Sequence, residues 1–393
     1  MEHQPGYEIS IVSCPDYKEK LLRERIVSLL DPLGGMNNFV KKGDNVALKP
    51  NLLMAAAPSR RITTHPEIVR VVSDLVKEAG GEPFVVDSPG AAIQNTPSSL
   101  DRVYNKCGLQ NVGLKLNRDT SRKFISHPKA RVAKKIEVLQ AVCKADVIIN
   151  LPKIKPHCFM ILTCAVKNMF GIIPGLIKVG YHSKLSNPER FGAMLLDLND
   201  FFPPALTIID GITGMEGDGP SSGTPVKIGA LLAGTDDLKL DLAVCQLIGF
   251  SPDDVPYLKI AMKEGICPES ADELNITDRP LFKKLSRKIA PPSTINKGSG
   301  FSRGIIQKLG NRLMNYAFTL NPEVDTEKCV GCGACERGCP ENIITFYRDK
   351  KGRKKARISE RNKCIHCYCC HEMCPHRAMG LKPSLLYRVL IRK

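Results

Sequence analysis

A chain of 393 residues with 43% hydrophobic content can bury more than one core, and its net charge of +17 sits almost wholly at one end: residues 1–277 carry an excess of one positive charge, residues 278–393 an excess of sixteen. No apolar run reaches the roughly 18–20 residues of a membrane-crossing helix, and MEHQPGYEIS lacks the basic opening and apolar stretch of a secretory leader, so a cytoplasmic protein with no membrane span is expected. Of sixteen cysteines, eight have cluster spacing and eight fall in no framework, which argues against a disulfide-stapled secreted fold and for a reducing, anaerobic interior.

Residues 1–275 alternate apolar strands with helices. Residues 9–12 predict a strand, 18–30 a helix and 45–48 a second strand. Between His65 and Ala79, the residues Ile68, Val71, Val72, Leu75 and Val76 follow the 3.6-residue period of an amphipathic helix, which Gly80-Gly81 ends. Residues 84–86, 147–151, 206–209 and 228–233 predict further buried strands, and 161–170 is expected to be helical. This alternation argues for an α/β fold, a mainly parallel sheet with helices on both faces.

Four of these strands run into polar residues: Lys49-Pro50-Asn51, Asp87-Ser88-Pro89, the segment PKIKPH from Pro152 to His157, and Asp210. Ligands of open α/β sheets bind beyond the carboxyl ends of the strands, so these groups are expected to share one crevice. Lys153, Lys155 and His157 are two apart and would point to one side of an extended chain. On a helix over 161–170, Thr163 and Lys167 share a face and Asn168 follows into the turn at Gly171. His157, Lys155, Lys167 and His65 are the candidate catalytic groups; Lys49, Asn51, Lys153, Asn168, Asp210 and Glu216 are the candidates for binding an anionic small molecule, with Arg60, Arg61 and His182 as further positive or proton-carrying groups. A solvated charged face is the alternative for each lysine.

The stretch DGITGMEGDGP from Asp210 to Pro220 predicts a glycine-rich loop after a buried strand, in which main chain can approach a ligand or cluster closely, and Glu216 or Asp218 could ligate a metal or relay protons. Neither G-x-x-x-x-G-K-[ST] nor G-x-G-x-x-G occurs, so the usual ATP and dinucleotide fingerprints are absent.

Residues 276–322 are basic and rich in Pro, Ser and Gly, and predict a linker with a short helix over 305–318; residues 383–393 form an apolar and basic tail. Between them, over 323–382, one pattern occurs twice: Cys329, Cys332, Cys335, Cys339-Pro340 and Cys364, Cys367, Cys370, Cys374-Pro375. This is the ligand spacing of a two-cluster bacterial-type ferredoxin, a small α+β domain in which three thiolates hold one [4Fe-4S] cluster and the fourth reaches to the other. The first cluster would use Cys329, Cys332, Cys335 and Cys374, the second Cys364, Cys367, Cys370 and Cys339. A pair of zinc ribbons is the alternative, but four-ligand zinc sites have no use for the third cysteine and the C-P repeated in register. Cys369, a ninth thiol, and His366 lie among the ligands with expected supporting or surface roles. Lys350-Lys351-Gly352 predicts a hairpin turn between the two motifs.

KPN at Lys49, TTHPE at Thr63, LPKIKPH and AVKNMFG between Leu151 and Gly171, and DGITGMEGDGP resemble the family known as domain of unknown function 362, over roughly residues 8–250. Members often carry such a ferredoxin module. The resemblance implies an iron-sulfur protein with a large α/β domain and implies neither substrate nor catalytic roles; Cys158 and Cys164 are the less usual residues within its motifs.

Two functions compete. In one, low-potential electrons pass through the clusters to an anionic substrate or cofactor in the α/β domain, an iron-sulfur oxidoreductase chemistry. In the other, the chain is a ferredoxin-type carrier or assembly subunit whose α/β domain recognises a partner. Either reading expects an acidic redox partner for the basic end. Nucleic acid is disfavoured, because the basic run 350–357 has no aromatic platform beside it.

Overall fold

The computed structural model describes residues 6–90, 95–175, 177–295 and 320–383. The helix expected over 305–318, the linker between 296 and 319 and the tail from 384 onward lie outside the described residues.

The strands are, in chain order, β1 (Ile9–Ser13), β2 (Asn45–Pro50), β3 (Glu82–Val85), β4 (Arg122–Ser126), β5 (Lys135–Leu139), β6 (Val147–Leu151), β7 (Lys155–His157), β8 (Ile161–Thr163), β9 (Leu206–Glu216) and β10 (Thr224–Gly234). Six of them form one sheet in the order β1-β10-β9-β6-β2-β3. Neighbours β9, β6, β2 and β3 are parallel; β10 is antiparallel to β9 and to β1. The short connection from β9 to β10 allows only an antiparallel return. The central strands read as continuous apolar runs because both faces are covered. Val46, Leu48, Ile208 and Leu231 pack under the helices Glu19–Leu30, Pro66–Glu78 and Pro97–Lys106. Ala47, Ile209 and Leu232 face the other side, under Pro188–Phe201, Asp237–Ile248 and Pro256–Lys263.

Helix Pro66–Glu78 shows how local sequence sets an element. Pro66 takes the first helical position, where its missing N–H costs nothing, and the His65 ring accepts the Glu67 N–H at 3.3 Å. Ile68, Val71, Val72, Leu75 and Val76 are all buried.

Two expectations need correction. Residues 161–170 are not one helix: β8 pairs with β7, and a single helical turn, Ala165–Asn168, begins where Asp241 accepts the Ala165 and Val166 N–H groups at 2.7 and 3.0 Å. The carboxylate sets the start, so Thr163 stays in the strand. The stretch from Asp210 to Glu216 is not a loop. It continues β9, because its backbone is paired by β10 on one edge and on the other by residues 152–154, with Asp210 N to Pro152 O at 2.9 Å and Met215 N to Ile154 O at 3.1 Å.

The C-terminal domain is small and α+β. Strands β11 (Leu320–Val324) and β14 (Met379–Pro383) pair, as do β12 (Ile344–Arg348) and β13 (Lys354–Ile358) across the expected turn, where Gly352 is left-handed. One-turn helices Ala334–Arg337 and Cys369–Glu372 lie within the two cysteine motifs. The loop after β9 fastens this domain to the larger one. Ser221 Oγ donates to Glu372 O at 2.6 Å, Arg377 Nη2 donates to Gly223 O at 3.2 Å, and His371 Nε2 lies 3.2 Å from Asp218 O. Tyr368 is buried in the large domain's core. No helix among the described residues is long and apolar enough to cross a membrane.

Candidate functional site

Beyond the carboxyl ends of β2, β3 and β6, hairpin β7–β8 and the one-turn helix Cys369–Glu372 close around a cavity of about 60 Å³. At roughly 15 Å³ per water, that is room for about four waters or a ligand of a few heavy atoms. Lys49, Asn51, Asp87, Lys155, Thr163, Lys167, Asn168, Lys178 and His182 line it from the large domain; Cys369, Glu372 and Met373 line it from the small one.

An amide ladder sets the positions of its cations. Asn168 Nδ2 donates to Lys49 O at 3.0 Å and to Asn150 Oδ1 at 2.7 Å, and its Oδ1 accepts from Asn51 at 3.0 Å. Asn51 Oδ1 in turn accepts from Lys155 Nζ at 2.6 Å, while the same ammonium donates to Ile62 O at 2.7 Å. Lys49 Nζ lies 2.8 Å from Asp87 Oδ1, both buried. Gly171 backs directly onto this pair, where a Cβ would collide with Lys49 Nζ and Asp87 Oδ1, so the AVKNMFG motif must end on glycine. Burial, opposed by Asp87, lowers the Lys49 pKa. Burial, with Lys153 and Lys167 nearby, brings Lys155 down to about 7, and burial does the same to Lys178. Lys167 is lowered by burial, with Glu372 opposing.

His157 has a fixed tautomer. Its Nδ1 accepts the Phe159 and Met160 N–H groups at 3.0 and 3.2 Å, so in the neutral ring the proton is on Nε2, which lies 3.5 Å from Glu372 Oε2. Burial, reinforced by Lys167, lowers the His157 pKa to about 4, and the ring stays neutral at pH 7. His182, stacked on Phe191 with centroids 4.6 Å apart, is lowered by burial to about 3. Burial pushes the Glu372 pKa up, but the contact with His157 and the charge of Lys167 outweigh it and hold the carboxyl well below its usual range.

The expected residues do not all meet here. Lys49, Asn51, Lys155, Lys167 and Asn168 line the cavity, and His157 abuts it through Glu372. Lys153, Asp210 and His65 form a second buried group: Lys153 Nζ and Asp210 Oδ2 are 2.7 Å apart, the His65 N–H donates to the same oxygen at 3.1 Å, and Tyr17 Oη donates to Oδ1 at 2.8 Å. The His65 ring stacks on Tyr17 at 3.8 Å and caps its helix, and burial lowers its pKa to about 4. Lys153 is thus spent on an internal ion pair and leaves the comb expected with Lys155. Glu216 accepts the Ala290 N–H at 3.1 Å, away from the cavity. Lys178 and Glu372 were not foreseen. Lys178 stands four residues before His182, a shared helical face that could have drawn attention; Glu372 reaches the cavity only because the two domains dock.

The eight motif cysteines gather into two sets. One apolar pocket is lined by Cys329, Cys332, Cys335 and Cys374, another by Cys339, Cys364, Cys367 and Cys370, so the fourth thiol of each motif crosses to the other. Ala378 N–H points to Cys374 Sγ at 3.1 Å and Ala356 N–H to Cys329 Sγ at 3.4 Å, contacts that suit thiolates. Among the described residues no three His, Cys, Asp or Glu side chains close around a single-ion position.

Comparison with known proteins finds two family matches. The model of the family described as domain of unknown function (DUF362) matches residues 46–246, and that of the 4Fe-4S dicluster domain matches residues 328–378. The thylakoid-associated protein sll1697 of Synechocystis sp. is 36% identical over 271 residues, covering 67% of this chain and 81% of that protein. Lactate racemase apoprotein from Thermoanaerobacterium thermosaccharolyticum aligns at 14% identity and TM-score 0.36, over 60% of this chain and 55% of that one. A Thermotoga maritima protein aligns at 13% and 0.34, over 52% of each. The chain spans about half the length of these two solved structures. With a family match over residues 46–246 and a relative at 36% identity, the chain belongs to the domain of unknown function (DUF362) family and carries a C-terminal 4Fe-4S dicluster domain.

Proposed function

We propose that this protein is an iron-sulfur oxidoreductase in which a small anion, bound in the cavity between the two domains, exchanges electrons with the dicluster domain. The observation that carries the reading is that Cys369, Glu372 and Met373, flanking the cluster-type ligand Cys370, form one wall of the cavity. When bound, two [4Fe-4S] clusters, one on Cys329, Cys332, Cys335 and Cys374 and one on Cys364, Cys367, Cys370 and Cys339, supply one electron at a time. The large domain supplies binding and protons. Lys155 and Lys167 attract and orient the anion, and Lys155, with its pKa near 7, can give or take a proton at Nζ. His157, its tautomer set by two backbone N–H groups, keeps its Nε2 proton toward Glu372 and positions that carboxylate. None of the sixteen cysteines is paired in a disulfide, which supports a reducing setting.

A carrier or assembly role is favoured by a different observation, at the first motif. Cys332 is exposed, Val330 is 58% exposed, and Lys328, Arg337 and Lys354 are exposed beside them, a surface suited to an acidic redox protein. The decisive experiment offers small carboxylates and phosphates to dithionite-reduced protein under anaerobic conditions. Reoxidation of the protein with formation of a reduced product, slowed at least about tenfold by Lys167→Met, is expected; no product from any of them, with undiminished electron delivery to an acceptor protein, would leave only the carrier.

A further inference from the structure

The cavity's charges and hydrogen-bond donors do not balance. An ammonium has three N–H donors. Lys155 spends two, on Asn51 Oδ1 and Ile62 O, and Lys178 spends two, on Ser88 O and Pro89 O. Lys167 is 8% exposed, lines the cavity and has no hydrogen-bond partner among the described residues; the Phe170 ring, 5.7 Å from Nζ, is its recorded neighbour. Its ammonium therefore opens into the cavity without a protein acceptor, and its donors are available to whatever occupies that space. The lining carboxylates fall short as well: Asp87 is taken by Lys49, which leaves Glu372 alone against Lys155, Lys167 and Lys178. With all three lysines charged, the wall carries two uncompensated positive charges.

We propose that this cavity is built for a small dianion, an oxyanion with two negative charges that accepts from Lys167 and takes the remaining donor from each of Lys155 and Lys178. This rests on the reading of the cavity as a ligand site and deepens it by naming the ligand's charge and size. The volume admits an ion such as phosphate or oxalate and excludes a nucleotide. Lys155 and Lys178 have pKa values brought down to about 7 by burial, so a bound dianion also relieves the cost of charging them. Thr163 lines the same wall and adds a hydroxyl.

The test is calorimetric titration of the oxidised holoprotein, without reductant, using inorganic phosphate as the tetrahedral probe, oxalate as the planar one and formate as the monoanion. The expected result is that phosphate or oxalate binds at least about tenfold more tightly than formate, and that Lys167→Met removes that preference while the exposed Lys20→Met keeps it. Which dianion binds distinguishes a phosphate-type from a dicarboxylate ligand. Equal binding of all three ions, binding of both dianions weaker than about 10 mM, or an unchanged preference in folded Lys167→Met would overturn the proposal. If that variant does not fold, the dianion-to-monoanion ratio of the natural protein decides alone. Dianion binding without turnover would sink the redox reading only; turnover of a monoanion with no dianion preference would sink this inference only.

Discussion

In the first cysteine motif the residues between the ligands are small or exposed: Gly331, Gly333, Ala334, Arg337 and Gly338. At the corresponding places in the second stand His366, Tyr368, Cys369, Glu372 and Met373. The backbone is alike, since Gly331 and Gly333 have φ of +67° and +80° where His366 and Tyr368 have +53° and +59°. Glycine adopts that left-handed region freely, while a side chain there costs about 1 kcal/mol. The second motif accepts the strain because its side chains have work elsewhere. Tyr368 enters the large domain's core, Met373 packs against Gly90 and Ala334, and Cys369 and Glu372 line the cavity. Equal ligand spacing therefore hides a division of labour: one motif faces solvent, the other faces the large domain.

The largest predicted break in this comparison is Tyr368→Ala, which should cost roughly 3–5 kcal/mol, whereas Val330→Ala at the exposed motif should stay within about 0.5 kcal/mol. Anaerobic urea denaturation measures both, and equal losses would erase the distinction between inner and outer motifs. Next comes Glu372→Gln, which leaves Lys155 and Lys167 facing each other without a counter-charge and should cost about 1–3 kcal/mol; the corresponding exposed Arg337→Gln should cost less than about 0.5 kcal/mol.

A third prediction concerns pH. Folding brings Lys155 and Lys178 down to about 7, whereas in the unfolded chain lysine titrates at about 10.4. Between those values the unfolded state holds more protons, so stability should rise with pH from 7 toward 10. Lys49, Lys153 and Lys167, packed around them and also lowered, add to the slope; Asp87 and Glu372 oppose it. Denaturation midpoints at pH 7 and 9 should differ in the natural protein and differ less in Lys155→Met with Lys178→Met. The smallest effect is expected from Cys369→Ala. Its thiol lies beside the Cys367 sulfur and can donate to it. Losing that donor should make the potential of the second cluster more negative, since hydrogen bonds to sulfur stabilise the reduced state; Ala334→Ser at the outer motif should leave it unchanged in redox titration.

Much of this was legible in one dimension. The repeated cysteine spacing anticipated which thiols line each of the two pockets, including the crossing of Cys339 and Cys374. The apolar runs of β2, β6 and β9 announced a sheet covered on both sides, and the polar residues after them predicted where Lys49, Asn51 and Lys155 would meet. The partition of the cations was not legible. Lys153 and Lys155 stand two residues apart in the same run, and only their neighbours in space separate them: Asp210 neutralises one, while the other receives a neutral amide from Asn51.

By itself, then, the order of residues determined most strands and helices of the large domain's sheet, the two thiol sets and the supply of positive charge at the strand ends, since periodicity and spacing act over a few residues. Tertiary structure alone decided which lysines stay uncompensated and that Glu372, more than two hundred residues away from Lys155 and Lys167, completes their cavity. Charge balance in a buried site is a sum over everything packed within a few ångströms, and that neighbourhood exists only once the domains have docked.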